Sequence, residues 1–224
     1  MAVTSIEYIG VFIVFLFSLI IHEIAHARIA YYLGDSTAKD MGMFSFNPLK
    51  HLNLIGILVP ISLCLMHLPM ISFAKPVMFK ESAFKRPKID MILVGLAGPI
   101  SNLILAAIGF LLYNRLSMVP ETMLLYFNKF LLVMVSINLV LCAFNLIPIP
   151  PLDGSIVYMS TLIDKKPVLA EKLRDCGVGA ILSLVVIMPF IGKFYGKDYD
   201  IISPYINWFI HTFDAVLSPW IAKS

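Results

Sequence analysis

Two histidines and a glutamate lie within one helical turn of a long apolar segment, in the sequence His22-Glu23-Ile24-Ala25-His26. Side chains four residues apart share one face of an α-helix, so both imidazoles can bind the same metal ion. Glu23 projects next to that face, where it can reach a water molecule. This HExxH arrangement is typical of two zinc ligands and a general base. An ionisable residue at bilayer depth costs about 2.5–3.5 kcal/mol, and a bound metal would compensate for that cost.

A tetrahedral catalytic zinc needs a third protein ligand and one open position. Asp153 is the candidate, because it lies in a stretch, Asn145–Gly154, that is apolar apart from Asn145 and Asp153 and follows a predicted membrane helix. Three prolines in this stretch exclude a regular helix and allow the carboxylate an interior position. A helix cap or turn carboxylate is the alternative for Asp153. Other acids, such as Asp35 and Asp90, fall in charged loops and are predicted to be solvated.

The composition predicts a polytopic membrane protein. Of the 224 residues, 59% are hydrophobic and 14% are charged, whereas soluble domains carry about 25% charge. This balance excludes a disordered chain, a nucleic-acid-binding domain and an ordinary water-soluble enzyme. The first six residues lack Lys and Arg, so the first apolar run is predicted to be a spanning helix rather than a removable signal. With no repeat or long linker, residues 1–224 are predicted to form a single transmembrane domain.

Six segments are apolar enough to enter a bilayer, and they predict an all-α fold of five to six transmembrane helices: Ile6–Tyr32, Leu52–Phe73, Met91–Tyr113, Met123–Phe144, Val178–Ile191 and Ile201–Ile221. The second segment carries Pro60 in its middle, which disfavours a regular helix. We therefore expect a re-entrant or β-hairpin element between the first helix and the core helices. A plain sixth helix is the alternative.

Basic residues set the predicted orientation. They cluster in residues 75–88 and 165–174, and both clusters are expected on the cytoplasmic side. A hairpin at 52–73, rather than a full crossing, keeps both clusters on that side. The histidine pair lies nearer the cytoplasmic end of the first helix, and Asn145–Gly154 returns to the same side. The histidine pair and Asp153 are therefore predicted to lie at a similar depth in the membrane and near the same side of it.

Three patterns, in order along the chain, resemble those of the site-2 protease family of intramembrane zinc metalloproteases. They are HExxH at His22–His26, GxxxN at Gly98–Asn102 and NxxPxPxxDG at Asn145–Gly154. Further segments are similar to the compact bacterial and archaeal branch without a PDZ domain: Phe46–His51, Ile55–Pro60 and Phe73–Val77. The resemblance covers most of residues 10–160, and the last 65 residues carry no motif.

The resemblance implies one zinc ion per chain, bound by His22, His26 and Asp153, with Glu23 as the catalytic acid/base. It also implies that two asparagines hold the substrate chain beside the metal, namely Asn102 and Asn145. For both asparagines, hydrogen bonding between helices is the alternative.

The implied function is intramembrane proteolysis: a zinc metalloendopeptidase that hydrolyses peptide bonds within or near transmembrane segments of membrane proteins. The expected setting is a prokaryotic cell membrane, with the active site open to the cytoplasm. The expected partners are a transmembrane substrate and the lipid bilayer, without nucleic acid, and the oligomeric state stays open. A substrate helix must unwind before cleavage, and an exposed strand at Ser72–Phe79 or Lys39–Phe46 could receive it. Structural hairpins are the alternative for both stretches. A divalent metal transporter and a non-catalytic membrane protein are the alternatives.

Overall fold

The computed structural model describes residues 5–51, 78–116, 121–196 and 199–221. Within these ranges the chain is helical and forms no strand. Its α-helices are α1 (Ser5–Tyr32), α2 (Thr37–Asp40), α3 (Pro48–His51), α4 (Pro87–Leu116), α5 (Glu121–Asn145), α6 (Ile156–Lys165), α7 (Pro167–Leu182), α8 (Met188–Tyr195) and α9 (Ile202–Ile221). The predicted hairpin at 52–73 lies outside the described residues.

Four helical segments are long and apolar enough to cross a membrane: Ile9–Tyr32, Pro87–Leu116, Tyr126–Asn145 and Pro167–Tyr195. Each contains or nearly matches one of the predicted apolar segments, so four of the six predicted spans are confirmed as helices of suitable length and composition. Many side chains on these helices are large, apolar and exposed, among them Phe17, Ile104 and Ile108. Such side chains fit a lipid bilayer rather than water. Helix α9 forms where the sixth segment was predicted.

The chain divides into two compact units, Met1–Leu139 and Val140–Ser224. In the first unit, α1 packs along α4. The buried face of α4 is built from small residues at helical spacing, namely Gly95, Ala97, Gly98, Ala106 and Gly109. Small side chains let two membrane helices approach closely, and this close approach places α4 against the histidines of α1.

The turn after α1 corrects two sequence-based expectations. Lys39–Phe46 is not a strand edge, because the chain forms α2 and then a turn in which Gly42 takes φ +78°. Asp35 is not solvated: it is buried, and it accepts hydrogen bonds from the backbone N–H groups of Thr37 and Lys80. Burial raises the pKa of Asp35, but these bonds and one from the Thr37 hydroxyl outweigh it and leave the pKa below its usual value.

The start of α4 shows a second buried acid. Asp90 is 2% exposed and accepts a hydrogen bond of 2.9 Å from the backbone N–H of Arg86, just before the helix. The Arg86 guanidinium also contacts this carboxylate at 3.3 Å. Asp90 therefore caps the first turn of α4 and is not the solvated loop acid that its charged neighbours suggested.

The second unit corrects the predicted boundaries of the fifth segment. The stretch before Val178, predicted as a polar loop, instead forms α6 and most of α7. Pro167 stands at the first turn of α7, where a proline costs no hydrogen bond. A π-helical turn, Ser183–Ile187, joins α7 to α8. The candidate span therefore begins eleven residues before the apolar run that predicted it.

Candidate metal centre

The two histidines of α1 form one compact pair inside the first unit. His22 is 3% exposed and His26 5% exposed, and their ring centroids lie 4.6 Å apart. Their Nε2 atoms are separated by 3.0 Å. Zn–N bonds of about 2.0–2.1 Å in a tetrahedral site place two ligand nitrogens a little over 3 Å apart. The pair therefore lies within a few tenths of an ångström of the separation that a shared zinc ion requires.

His22 is oriented by a buried amide on α4. Its Nδ1 donates a hydrogen bond of 2.6 Å to Asn102 Oδ1. Asn102 Nδ2 in turn donates to Asn138 Oδ1 on α5, at 2.8 Å. A ring with a proton on Nδ1 presents the Nε2 lone pair as its acceptor, which is the atom that faces His26.

His26 is oriented by a backbone carbonyl instead. Its Nδ1 donates to Val94 O at 2.7 Å. Val94 lies one turn before Gly98 on α4, so this carbonyl belongs to the same stretch of helix that packs against the histidine pair. His26 therefore also presents Nε2 as its acceptor.

Gly98 allows α4 to lie against both imidazoles. A Cβ atom at this position would lie 2.5 Å from His22 Nε2 and closer still to His26 Nε2. These are rigid ring atoms in a buried pair, so no side chain can be accommodated without moving a helix. The first position of the GxxxN pattern is therefore a steric requirement of the histidine pair.

The two imidazoles are oriented as the ligands of a metal ion are. Both histidines hold Nδ1 on an oxygen acceptor and direct Nε2 toward one point, which is the usual arrangement of zinc-binding imidazoles. Both rings are buried, and two converging lone pairs in a buried site favour a cation. The donor set of the first unit therefore fits zinc, as the HExxH spacing predicted.

Glu23 is 8% exposed, on the same turn of α1 as the histidines. A carboxylate buried this deeply in an apolar helix is costly unless it interacts with other groups. Its position beside the imidazole pair suits the acid/base role that the HExxH pattern implies.

Asp153 belongs to the second unit, where the stretch Asn145–Gly154 folds back on itself. Gly154 packs so tightly that an added Cβ would lie 2.5 Å from the carbonyl carbon of Leu146. Ser155 Oγ donates to Leu152 O at 2.7 Å, and Asp153 begins a short 3-10 turn. Asp153 is half-buried in this fold. The proline-rich stretch therefore holds the carboxylate on irregular backbone, as predicted.

The two asparagines implied by the family have different surroundings. Asn102 is fully buried, and both ends of its amide bond to residues of other helices. This is the packing alternative considered from the sequence. Asn145 is half-buried at the end of α5, where its Nδ2 donates to Leu141 O at 2.9 Å.

Sequence reasoning missed the residues that lie behind Asn102. Asn138 and Ser18 are both fully buried, and Asn138 Nδ2 donates to Ser18 Oγ at 2.9 Å. The sequence held a weak signal: Ser18 stands one turn before His22 on α1, and Asn138 is a polar residue in the mainly apolar second half of α5.

Comparison with known proteins identifies two relatives. The chain is 36% identical over 181 residues to a Bacillus subtilis protein named "Putative zinc metalloprotease YwhC", and the match covers 79% of each chain. It is 29% identical over 157 residues to "Putative zinc metalloprotease Rip2" of Mycolicibacterium smegmatis, covering 68% of this chain and 58% of that protein. No protein-family model and no solved structure matches the chain. With this similarity and the three sequence patterns, the chain belongs to the site-2 protease family.

Proposed function

We propose that this protein is an intramembrane zinc metalloendopeptidase that cuts membrane proteins within or near their transmembrane segments. The observation that carries the proposal is the pair of imidazoles whose Nε2 atoms lie 3.0 Å apart while both Nδ1 atoms are held by oxygen acceptors. The names of the two relatives support zinc proteolysis, and the four long apolar helices support a bilayer setting.

His22 and His26 would hold the zinc ion together with Asp153, whose carboxylate is the third ligand of this proposal. The ligand set of two imidazoles and one carboxylate is common among catalytic zinc sites and leaves one position open. When bound, zinc supplies Lewis acidity, which polarises the scissile carbonyl and makes water acidic enough to lose a proton near neutral pH.

Glu23 moves the proton in this mechanism. Its carboxylate accepts a proton from the attacking water as the oxygen adds to the peptide carbon. The C–N bond then breaks, and the Glu23 carboxyl donates the proton to the leaving amine nitrogen. One water is consumed, and one carboxylic acid and one amine are formed. The buried position of Glu23 keeps this transfer away from bulk water.

Asn145 is proposed to hold the substrate chain, since its amide lies where α5 gives way to the proline-rich stretch. The substrate is proposed to be a membrane protein whose helix unwinds locally, because a helical peptide keeps its carbonyls in internal hydrogen bonds. The proposed setting is a prokaryotic cell membrane, with the active site open to the cytoplasm on the side of the basic clusters.

The test is cleavage of a single-span membrane protein in detergent by the purified chain loaded with zinc. Glu23→Gln should retain zinc and lose about 10²–10⁴-fold in cleavage rate, whereas Glu171→Gln, at an exposed site on α7, should cleave normally. Asp153→Asn should lose tight zinc, with the exposed Asp164→Asn as its control. Equal cleavage by Glu23→Gln and the parent chain would contradict proteolysis, and zinc binding without cleavage by either would favour a transport or binding role.

A further inference from the structure

Asn138 lies at the centre of a buried polar chain that joins three membrane helices. Its side chain is fully buried, and its Nδ2 donates both to Met134 O, at 2.8 Å, and to Ser18 Oγ, at 2.9 Å. Its Oδ1 accepts from Asn102 Nδ2. No sequence pattern of the metal site includes Asn138 or Ser18.

The direction of this chain is fixed by one backbone atom. Met134 O is a carbonyl oxygen, which can only accept, so the Asn138 atom that faces it must be the amide nitrogen. Asn138 Oδ1 must then face α4, where it can only accept. That requirement turns Asn102 so that its nitrogen faces Asn138 and its oxygen faces His22.

His22 is the last member of the chain. Because Asn102 presents an oxygen, the His22 atom that faces it must be a protonated Nδ1, and Nε2 must then carry the lone pair. An Asn102 side chain turned the other way would present its NH2 group to Nδ1 and favour the proton on Nε2, the atom that should bind metal. The orientation of one amide therefore decides whether His22 is ready to bind a metal.

We propose that Asn138, supported by Ser18, is a positioning residue for the metal site: it sets the tautomer of His22 by fixing the orientation of the Asn102 amide. The proposal rests on the proposed zinc site, but it concerns the arrangement of the protein before a metal binds. The Nδ1 atom of His26 bonds instead to the backbone carbonyl of Val94, which no side chain has to orient.

The experiment measures zinc affinity by competition with a chelator, using the purified full-length chain in detergent. Asn138→Leu removes both ends of the amide and should weaken zinc binding about 10-fold, at the lower end of the effect seen for residues that orient metal ligands. Ser136→Leu is the matched control, because Ser136 is a polar, exposed residue on the same helix, and it should leave the affinity unchanged. Ser18→Ala should have a smaller effect than Asn138→Leu, since Asn138 Nδ2 keeps its bond to Met134 O.

A second set of variants, made in the Asn102→Asp protein, separates an effect on the orientation of the Asn102 amide from a general loss of packing. In Asn102→Asp both carboxylate oxygens are acceptors, so His22 Nδ1–H finds an acceptor whichever way the group turns. Asn138→Leu should therefore cause little further loss of zinc affinity in the Asn102→Asp background. An equal loss in both backgrounds would show that Asn138 acts through packing alone, and the proposal would be wrong.

The tautomer itself can be read without any variant. In the metal-free chain labelled with 15N-histidine, the nitrogen shifts of His22 should show a protonated Nδ1, and Asn138→Leu should shift the population toward protonated Nε2. A parent chain with His22 protonated on Nε2 would overturn the inference even if zinc binds. Failure of the parent chain to bind zinc would contradict the proposed function. The 15N measurement on the metal-free chain would still test whether Asn138 sets the tautomer of His22.

Discussion

Gly98 on α4 lies so close to His22 on α1 that an added Cβ would be 2.5 Å from the imidazole Nε2. The metal-binding atoms of α1 thus rest against the backbone of a neighbouring helix. The same stretch of α4 supplies Val94 O to His26 and the Asn102 amide to His22. One turn of α4 on either side of Gly98 therefore acts as the support of the histidine pair.

Gly98→Ala should displace α4 from the histidines. We expect zinc affinity to fall by about tenfold or more, because both imidazoles lose their orienting partners, and the free energy of unfolding to fall by about 1–3 kcal/mol through overpacking. Chelator competition and thermal unfolding measure the two effects. Gly109→Ala, on the same helix, is the control: its Cβ would meet the flexible end of Met134, at 2.6 Å, so zinc affinity should be kept. Normal zinc binding by Gly98→Ala would contradict the described packing.

Two glycines of α7 give a matched pair for the second unit. A Cβ at Gly177 would overlap Pro150 O and lie 2.6 Å from the Pro150 carbonyl carbon, whereas a Cβ at Gly179 would meet nothing within 4 Å. Gly177→Ala should lower the free energy of unfolding by about 1–3 kcal/mol. Gly179→Ala should raise it by about 0.5–1 kcal/mol through helix propensity. Similar unfolding midpoints for the two variants would mean that α7 does not pack on the proline-rich stretch.

Asp35 should make the turn after α1 sensitive to acid. Its pKa is lowered in the folded chain from the usual 3.8, despite burial, by the bonds from Thr37 and Lys80. The carboxylate therefore stabilises the fold at pH values above 3.8, and this contribution is lost as the pH falls through the lowered pKa. Asp35→Asn should cost about 1–3 kcal/mol near neutral pH, and the difference should shrink in acid.

Unfolding measured between pH 3 and pH 6 checks this expectation. Asp40→Asn is the control on the neighbouring helix α2, because Asp40 is exposed and its carboxylate accepts a hydrogen bond from the Ser36 hydroxyl rather than from backbone N–H groups of another segment. A pH-independent difference between Asp35→Asn and the parent chain would show that charge at Asp35 does not matter.

Orientation in the membrane can be tested with cysteine labels. In a chain with the native cysteines replaced, cysteines at Lys80 and Lys165 should react with an impermeant maleimide only from the cytoplasmic side, because both belong to basic clusters. A cysteine at Arg115, at the end of α4, should react from outside. Labelling of position 80 from outside intact cells would contradict the predicted hairpin at 52–73 and the proposed cytoplasmic opening.

The histidine pair could be predicted from the sequence, because HExxH fixes two ligands on one face through helix geometry alone. Gly98 could be recognised as part of a pattern, but its contact with the imidazoles could not be predicted. Six apolar segments were predicted to enter the membrane, and four of them lie in helices long and apolar enough to cross it, because about 20 apolar residues suffice to span a bilayer as a helix.

The remaining features depend on contacts that spacing does not encode. Asn138 meets Asn102 only because α4 and α5 adopt one particular rotation, and each asparagine alone resembles an ordinary polar residue in an apolar run. The true start of α7 was missed because charged residues after Pro167 broke the apolar pattern without breaking the helix. Asp35 and Asp90 were expected to be solvated, since local charge does not reveal that a carboxylate caps a helix end inside the protein.

The contact between Gly98 and the imidazoles also restricts how a peptide can reach them. On the side of α4, the backbone at Gly98 leaves less room than a methyl group requires, so no substrate backbone can pass between α4 and the Nε2 atoms. A peptide must therefore approach the histidines from a side of α1 that α4 does not cover. The glycine that lets α4 approach the histidine pair therefore also closes that side of the site to a substrate chain.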